Sequence, residues 1–329
     1  MTDMPLISIV VPTFNRAGPL ARALAAIKAQ TQSDFECIVI DDGSDEATIR
    51  QYAEIWQMLD DRFILRTLAV GDRKSGNPGK ARNRGIAMAR GTYLAFCDDD
   101  DEWVREDHLD VAVTAMREAG ADLFFADIRF SNKEKITIPS WNSVVDPLLR
   151  GHPLSAGPEL FAPSRTNLQK FLQHRHFHAD TLVVARALLA SAGPYWEHAA
   201  VAEDVEITWR LVDRARRVVY RAMPIAAVDV SPHPSAVRSY SALDRAMYFI
   251  MASLRAESVM FDPGMRRVAR KCRAWGMLDL ADILAGESQP RRSLEVALQA
   301  LILSPSARAL RAVGRGAVTA ARSSRARIG

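Results

Sequence analysis

At residues 97–103 the sequence reads CDDDDEW, directly after the apolar run TYLAF at 92–96. Side chains alternate along an extended strand end, so Asp98 and Asp100 can project one way and Asp99 and Asp101 the other. Two carboxylates about 4 Å apart at an effective dielectric near 20 repel by about 4 kcal/mol. Protonating one relieves that repulsion, and so does a divalent cation. Hard carboxylate oxygens favour Mg²⁺ or Mn²⁺ over zinc, and such ions usually keep waters and bridge to phosphate groups. A diphosphate-bearing ligand is the economical expectation. The plain alternative is a solvated turn or a helix start, with Asp101 capping the helix after Trp103. The position after a buried strand, with a second acidic strand end DDGS at 41–44, favours the ligand.

Acids placed this way need a sheet to hold them. LISIVVPTF (6–14), FECIVIDDGS (35–44), FILRTLAV (63–70), TYLAFC (92–97) and ADLFFADIRF (121–130) are strand-like runs, and each of the intervals between them carries a helical pattern. Apolar runs separated by helices predict parallel strands covered on both faces, an α/β open sheet. In such sheets ligands bind outside the carboxyl ends of the strands, where PTFN, DDGS and DDDDEW lie. Residues 131–165, rich in Pro, Gly and Ser, read as a long loop or a partly helical insertion. From 166 the chain is helical again, ADTLVVAR and RRVVYRAMPIAAVDV read as strands, and AEDVEITWRLVDRA reads as a helix. Only helical patterns follow about residue 235.

The chain has 329 residues, 48% hydrophobic and 25% charged, an ordinary globular composition. Its length suits one large domain and a smaller appendage. Cys37, Cys97 and Cys272 form no CxxC pair, and buried reduced thiols are expected rather than a disulfide framework. No run approaches the roughly 18 apolar residues of a membrane span, and the N-terminal run is too short for a signal peptide, so a cytoplasmic location is expected. Net charge is +4, but residues 304–329 hold six arginines and no acid, so the remainder is slightly acidic.

In SIVVPTFNR (8–16), FECIVIDDGSDE (35–46), GKARNRGIAMARGTYLAFCDDDDEW (79–103) and AEDVEITWRL (202–211), the chain resembles the family 2 inverting glycosyltransferases of GT-A fold. The likeness covers roughly residues 5–230, and four motifs in series are far more specific than any one. It implies a Rossmann-like, mostly parallel sheet at 1–230, with a nucleotide-sugar half (1–130) and an acceptor and catalytic half (131–230), then a helical region at 231–329. It implies a nucleotide-diphosphate sugar as donor, Mn²⁺ or Mg²⁺ as cofactor, and a saccharide or lipid-linked glycan as acceptor. Asp98 and Asp100 resemble the DxD pair, with Asp100 a direct metal ligand and Asp99 near the ribose or sugar. By the same resemblance Pro12, Thr13 and Asn15, at the first strand end, are expected against the nucleoside. Asp42 resembles the acid that meets the base, which favours uracil or thymine. The segment with Lys80, Arg82 and Asn83 resembles the loop-to-helix entry beside the donor, where a cation would meet phosphate; the plain alternative for Arg82 is a surface helix residue. Of the pair Glu203–Asp204, the second is the expected base. His233, after the last strand, is a candidate to complete the metal shell, and HRHFH (174–178) offers further imidazoles for acceptor or metal.

Other classes account for less. A sugar-phosphate nucleotidylyltransferase would show a Gly-rich loop where PTFNRAG stands. A haloacid dehalogenase phosphatase needs DxDx[TV], usually after its first strand, and a receiver module would leave the ED segment unexplained. A non-catalytic nucleotide-sugar-binding relative is the remaining alternative. Arg308, Arg311, Arg315 and Arg322 are spaced 3, 4 and 7 apart, on one helical face. Such a face fits peripheral contact with an anionic membrane at about 1 kcal/mol per charge, although its apolar side is weak. A disordered soluble tail is the plain alternative. Nucleic acid is not expected, since no aromatic residues interleave the arginines.

Overall fold

The computed structural model describes residues 4–68, 77–132, 135–231 and 240–325. Four strands, β1 (Ile7–Thr13), β2 (Phe35–Asp41), β3 (Phe63–Thr67) and β4 (Tyr93–Phe96), pair in parallel in the order β3-β2-β1-β4. They alternate with α1 (Ala17–Lys28), α2 (Glu46–Trp56) and α3 (Pro78–Met88), as the apolar runs predict. Period-two alternation assigns each strand residue a side. Val10, Ile38, Ile40, Leu94 and Phe96 enter one core, while Ile9, Val11, Cys37, Val39 and Ala95 enter the other. Every residue of β2 is buried, because helices cover both faces. Each fully buried Ile, Val or Phe contributes about 1.5–3 kcal/mol.

The second half departs from a purely parallel sheet. After the two-residue β5 (Glu102–Trp103) and α4 (His108–Ala119) comes β6 (Leu123–Ser131). Between β4 and β6 lies β10 (Val183–Ala185), antiparallel to both, and β11 (Val218–Asp229) runs parallel to β6. Burial on both faces makes a short antiparallel strand as uniformly apolar as a parallel one, so strand direction is not legible in ADTLVVAR. The stretch expected as a loop or a partly helical insertion holds one short helix, α5 (Asp146–Leu149), and also builds β7 (Ile136–Ile138) on β6 and the hairpin of β8 (His152–Pro153) and β9 (Leu160–Ala162), which extends the sheet beyond β11. Then follow α6 (Arg165–Phe171), α7 (Arg186–Ala192) and α8 (Glu203–Arg214).

The expected helical region contains α9 (Ala242–Val259), α10 (Pro263–Gly286), α11 (Pro290–Leu303) and α12 (Ala307–Arg325). Met265 and Val268 of α10 enter the same core as Trp209 of α8. Farther along, Ala274, Ala281, Ala297, Ala300, Ala309 and Ala312 form a small alanine-rich core among α10, α11 and α12. The basic tail is thus helical through residue 325 and packs through Ala309 and Ala312. Arg308 pairs with Asp279 at 2.6 Å and Arg315 with Asp282 at 2.9 Å, so two arginines of the expected face are turned onto α10. Among the described residues no helix is long and apolar enough to cross a membrane. The three cysteines are free and buried.

Two features of the fold set the site. A Cβ at Gly85 would collide with the Val10 side chain, so glycine lets α3 lie close on β1 and carries Arg82, one turn earlier, over the strand ends. The acidic turn after β4 does not cap α4, contrary to one expectation for Asp101. Asp107 occupies that N-cap position, while Asp101 folds back to accept a hydrogen bond from the Asp229 N–H at 3.1 Å.

One buried residue carries a stability prediction. His108 is fully buried, its ring 4.9 Å from Trp103 and 5.9 Å from Phe124, and among the described residues neither ring nitrogen has a hydrogen-bond partner. Burial, then the Arg221 charge, pushes its pKa down to about 3. The unfolded chain takes up this proton near pH 6.5 and the folded chain does not, so the contribution is intact above that pH and is lost as pH falls towards 3. His108→Phe removes the titrating group and keeps the ring. Between pH 7.5 and pH 5, wild type is expected to lose about 2 kcal/mol more unfolding free energy in urea than the variant. Equal losses would refute the assignment.

Candidate active site

A cleft of about 1670 Å³ opens at the carboxyl ends of β1, β2 and β4. Pro12, Thr13, Asn15, Asp42, Arg82, Asp98, Asp99, Asp100, Glu203 and Asp204 all line it, which brings together most of the residues the sequence singles out. The Asp42 N–H donates to the Thr13 carbonyl oxygen at 2.9 Å and ties the first two strand ends. Asn15 has a left-handed backbone (φ 53°), held by its N–H donating to Ser44 Oγ at 2.7 Å and its Oδ1 accepting from the Asp45 N–H at 2.9 Å.

The acidic turn is partitioned among several cations. Arg82, 3% exposed, donates from Nη2 to Asp98 at 2.5 Å and from Nη1 to Glu203 at 3.0 Å. Its guanidinium lies 5.4 Å from the Tyr195 ring. Arg82 is therefore not a surface helix residue but the link between the acidic turn and the start of α8. Asp99 accepts from Thr13 Oγ1 at 2.7 Å and from Arg16 Nη1 at 2.9 Å. Burial lifts its pKa to about 7 against the pull of Arg16. The same Arg16 nitrogen reaches Asp100 at 2.5 Å.

Behind the turn, Asp101, His178 and Asp180 bring one donor atom each within 4.8 Å of one another. Asp180 is fully buried, at a 3-10 turn over Ala179–Thr181, and its Oδ1 accepts from the Asp98 N–H at 2.7 Å. Its Oδ2 lies 3.2 Å from His178 Nδ1, yet among the described residues neither atom makes a well-aligned hydrogen bond. Burial alone would lower the His178 pKa, but Asp180 and Asp98 raise it to about 9, so an imidazolium offsets part of the acid charge at neutral pH. Orphaned buried donor atoms beside a run of hard carboxylate oxygens fit a hard divalent cation, whose binding would displace protons.

The opposite wall is the start of α8. Ala202 adopts the left-handed conformation (φ 69°), at a cost of about 1–2 kcal/mol, and turns the chain so that Glu203 and Asp204 face the cleft. Three acids, Glu203, Asp204 and Glu206, complement the helix dipole there. Burial and Asp204 push the Glu203 pKa up to about 7 despite Arg82. Asp204 differs. Burial alone would raise its pKa, but His176, whose Nε2 lies 3.0 Å from Asp204 Oδ2, together with His178 holds the carboxyl well below the usual range. Trp141 packs edge-on against His176 at 5.0 Å and holds the imidazole from behind.

Two expected donor residues are not among those that line the cleft. Asn83 accepts from the Tyr195 N–H at 2.8 Å and donates to the Tyr195 carbonyl oxygen and to Glu197, so its amide is spent fixing the 195–197 loop on α3. Lys80 lies in the first turn of α3 but outside the lining. His233 lies outside the described residues, as do Arg327 and the side chains of Arg322 and Arg325. Arg16 is not among the residues singled out from the sequence, although it ends the motif SIVVPTFNR and four consecutive aspartates call for a nearby cation. Nor is Asp180, which lies in an apolar stretch, and no local pattern foretells that Arg245 and Phe249 of α9 and Asp279 and Ile283 of α10 complete the cleft.

Known proteins share part of this sequence and the fold. The model for Glycosyl transferase family 2 matches residues 8–178. The succinoglycan biosynthesis protein ExoW of Rhizobium meliloti is 36% identical over 128 residues, which are 38% of this chain and 38% of that one. A GalNAc(5)-diNAcBac-PP-undecaprenol beta-1,3-glucosyltransferase of Campylobacter jejuni is 38% identical over 99 residues, 30% of this chain and 31% of that one. The aligned stretches thus span less than two fifths of these relatives' own lengths. Among solved structures, S. aureus TarS 1-349 in complex with UDP-GlcNAc superposes with a TM-score of 0.66 at 19% identity, covering 91% of this chain and 81% of that one. The mannosyltransferase PcManGT of Pyrobaculum calidifontis, in complex with GDP-Man and Mn²⁺, gives 0.59 at 17% identity, covering 97% and 81%. At such identities the superpositions establish a shared fold. The family match, which spans just over half the chain and takes in the β1, β2 and β4 strand ends, establishes more: the chain belongs to glycosyl transferase family 2.

Proposed function

We propose that the protein is a metal-dependent inverting glycosyltransferase that moves a sugar from a nucleotide-diphosphate sugar, UDP or dTDP favoured, to a saccharide or lipid-linked glycan. One observation carries this reading: Arg82 joins Asp98 of the acidic turn to Glu203, the neighbour of Asp204, so that the cation-attracting group and the Asp204 carboxylate line one cleft. A relative that acts on an undecaprenol-linked glycan and a fold neighbour solved with UDP-GlcNAc support the choice of acceptor and donor classes.

In this mechanism Pro12, Thr13, Asn15 and Asp42 hold the nucleoside end at the strand termini, with Asp99 towards the ribose or sugar. Asp98 and Asp100 would hold Mn²⁺ or Mg²⁺, with His178 and Asp180 behind them and a second imidazole available at His233. A bound ion would supply charge neutralisation to the departing diphosphate. Asp204 accepts the proton of the acceptor hydroxyl as its oxygen bonds to the anomeric carbon, while the bond to the diphosphate breaks on the opposite face and the diphosphate leaves with the electron pair. That single displacement inverts the centre. Arg82 balances charge between the two walls, and Lys80, in the first turn of α3 but outside the lining, is left the lesser role of screening phosphate from outside. The walls from α9 and α10 receive the acceptor. Peripheral membrane contact through the tail loses two of its charges to Asp279 and Asp282, which leaves Arg311 as the arginine of that face to examine first.

Calorimetric titration of UDP, with and without Mn²⁺, tests the reading. Wild type is expected to bind UDP only with the metal, and Asp100→Ala to weaken that binding by about 10–100-fold. If UDP and dTDP both fail to bind with or without metal, the donor assignment is wrong.

A further inference from the structure

Arg16 lies where the proposed reaction needs a metal ion and a diphosphate. One nitrogen, Nη1, is 2.9 Å from Asp99 Oδ1 and 2.5 Å from Asp100 Oδ2, so a single cationic group spans two neighbouring carboxylates of the acidic turn. The backbone beneath it is fixed. Asn15 is pinned in its left-handed conformation by Ser44 and Asp45, and Arg16 itself occupies the N-cap position of α1. The side chain is 24% exposed along the cleft. Asp99 keeps a second partner in Thr13, 2.7 Å away, so it does not depend on Arg16 alone.

We propose that Arg16 is an internal counter-ion that competes with the divalent cation for Asp100 and, once displaced, binds the donor's diphosphate. The proposal rests on the donor-site reading above. A guanidinium and a divalent ion on one carboxylate repel, so Arg16 opposes binding of the bare cation. A diphosphate reverses that sign, because it offers oxygen pairs that match the planar fork of arginine. Arg16 therefore couples the two ligands positively: it makes metal alone bind poorly and metal with nucleotide bind well. A fixed structural brace would behave differently. Its loss would loosen the acidic turn and weaken both ligands together.

The test uses the full chain as wild type, Arg16→Met and Arg16→Lys, with folding checked by circular dichroism. Free Mn²⁺ is counted by electron paramagnetic resonance without nucleotide, and UDP is then titrated at saturating Mn²⁺. Arg16→Met is expected to bind Mn²⁺ about tenfold tighter and UDP about tenfold more weakly, two changes of opposite sign. Arg16→Lys keeps the charge but not the fork, so its Mn²⁺ affinity should stay near wild type while UDP binds several-fold more weakly. Arg16→Met with unchanged or weaker Mn²⁺ affinity, or with unchanged UDP affinity, overturns the proposal. Should Arg16→Met fail to fold, Arg16→Lys decides alone: UDP affinity equal to wild type overturns it. A wild type that binds neither Mn²⁺ nor UDP would instead defeat the donor-site reading, a result distinct from one in which both bind and the variants show no split.

Discussion

Asp204→Asn is expected to lower the turnover of glycosyl transfer by about 10²–10⁴-fold while UDP binding in the presence of Mn²⁺ stays within a few-fold of wild type. The substitution preserves shape and the hydrogen bond that Oδ1 accepts from the Val205 N–H, and it removes the one property the step needs, a lone pair that can take a proton. The neighbouring acid is a poor candidate for that work, because Glu203 is committed to Arg82 and burial favours its protonated form near neutral pH. Burial alone would neutralise Asp204, but its interactions with His176 and His178 outweigh that and hold it ionised. A carboxylate stabilised in this way is a weak base for a free hydroxyl. It suits a displacement in which the acceptor oxygen grows acidic only as its bond to the anomeric carbon forms, so proton transfer falls late in the step. Since its pKa is lowered, Asp204 stays ionised through mildly acidic pH, and loss of activity there should not follow its titration. Steady-state turnover and calorimetry on Asp204→Asn and Glu203→Gln decide the matter. If Asp204→Asn keeps more than a tenth of wild-type turnover, or Glu203→Gln is the more damaged of the two, the base has been misassigned.

The strand ends were legible in the sequence because their signals are local. An Ile/Val run ending in PTFN, DDGS or DDDD gives both the strand and the side of the sheet on which its polar end emerges; β1 and β4 follow those runs within a residue at each end, and β2 stops at Asp41, where the polar end begins. What pairs with those ends across the sequence is set by tertiary packing, and no local pattern carries it. Arg82 reads as one more helix cation until Gly85 is seen to press α3 onto β1, which buries the guanidinium between two distant acids. Asn83, its neighbour, projects from another side of the helix, and its amide serves the 195–197 loop. His176 and His178 stood out as a histidine cluster, but their roles diverge through their partners: Asp204, 28 residues away, for the first, and Asp180 together with Asp101, 77 residues away, for the second. The acceptor side was the least legible, since α9 and α10 enter the cleft with residues that read as an ordinary amphipathic helix pattern.

Arg82→Met should destabilise the folded protein by about 3–5 kcal/mol at pH 7.5, the cost of leaving buried carboxylates without their counter-charge. Two acids are stranded at once, Asp98 and Glu203, and the methionine fills the volume without meeting either. Arg82→Lys would do less harm, but one ammonium lacks the fork that reaches Asp98 with Nη2 and Glu203 with Nη1 together. The pH dependence has a definite sign. Without the guanidinium the pKa values of both acids rise further, and a raised carboxyl pKa favours the folded state at low pH and disfavours it as pH increases. The deficit of Arg82→Met should therefore shrink between pH 7.5 and pH 5.5. It should also shrink in the double variant with Glu203→Gln, because one of the stranded charges is then gone and the two substitutions are not additive. Urea denaturation of wild type, both single variants and the double variant at the two pH values measures all of this. A loss below about 1 kcal/mol for Arg82→Met, or strict additivity with Glu203→Gln, would mean that the guanidinium does not bridge the two walls of the cleft. In that case the acidic turn and the start of α8 are positioned by the sheet and the Ala202 turn alone, and Arg82 is free to serve the donor phosphate directly.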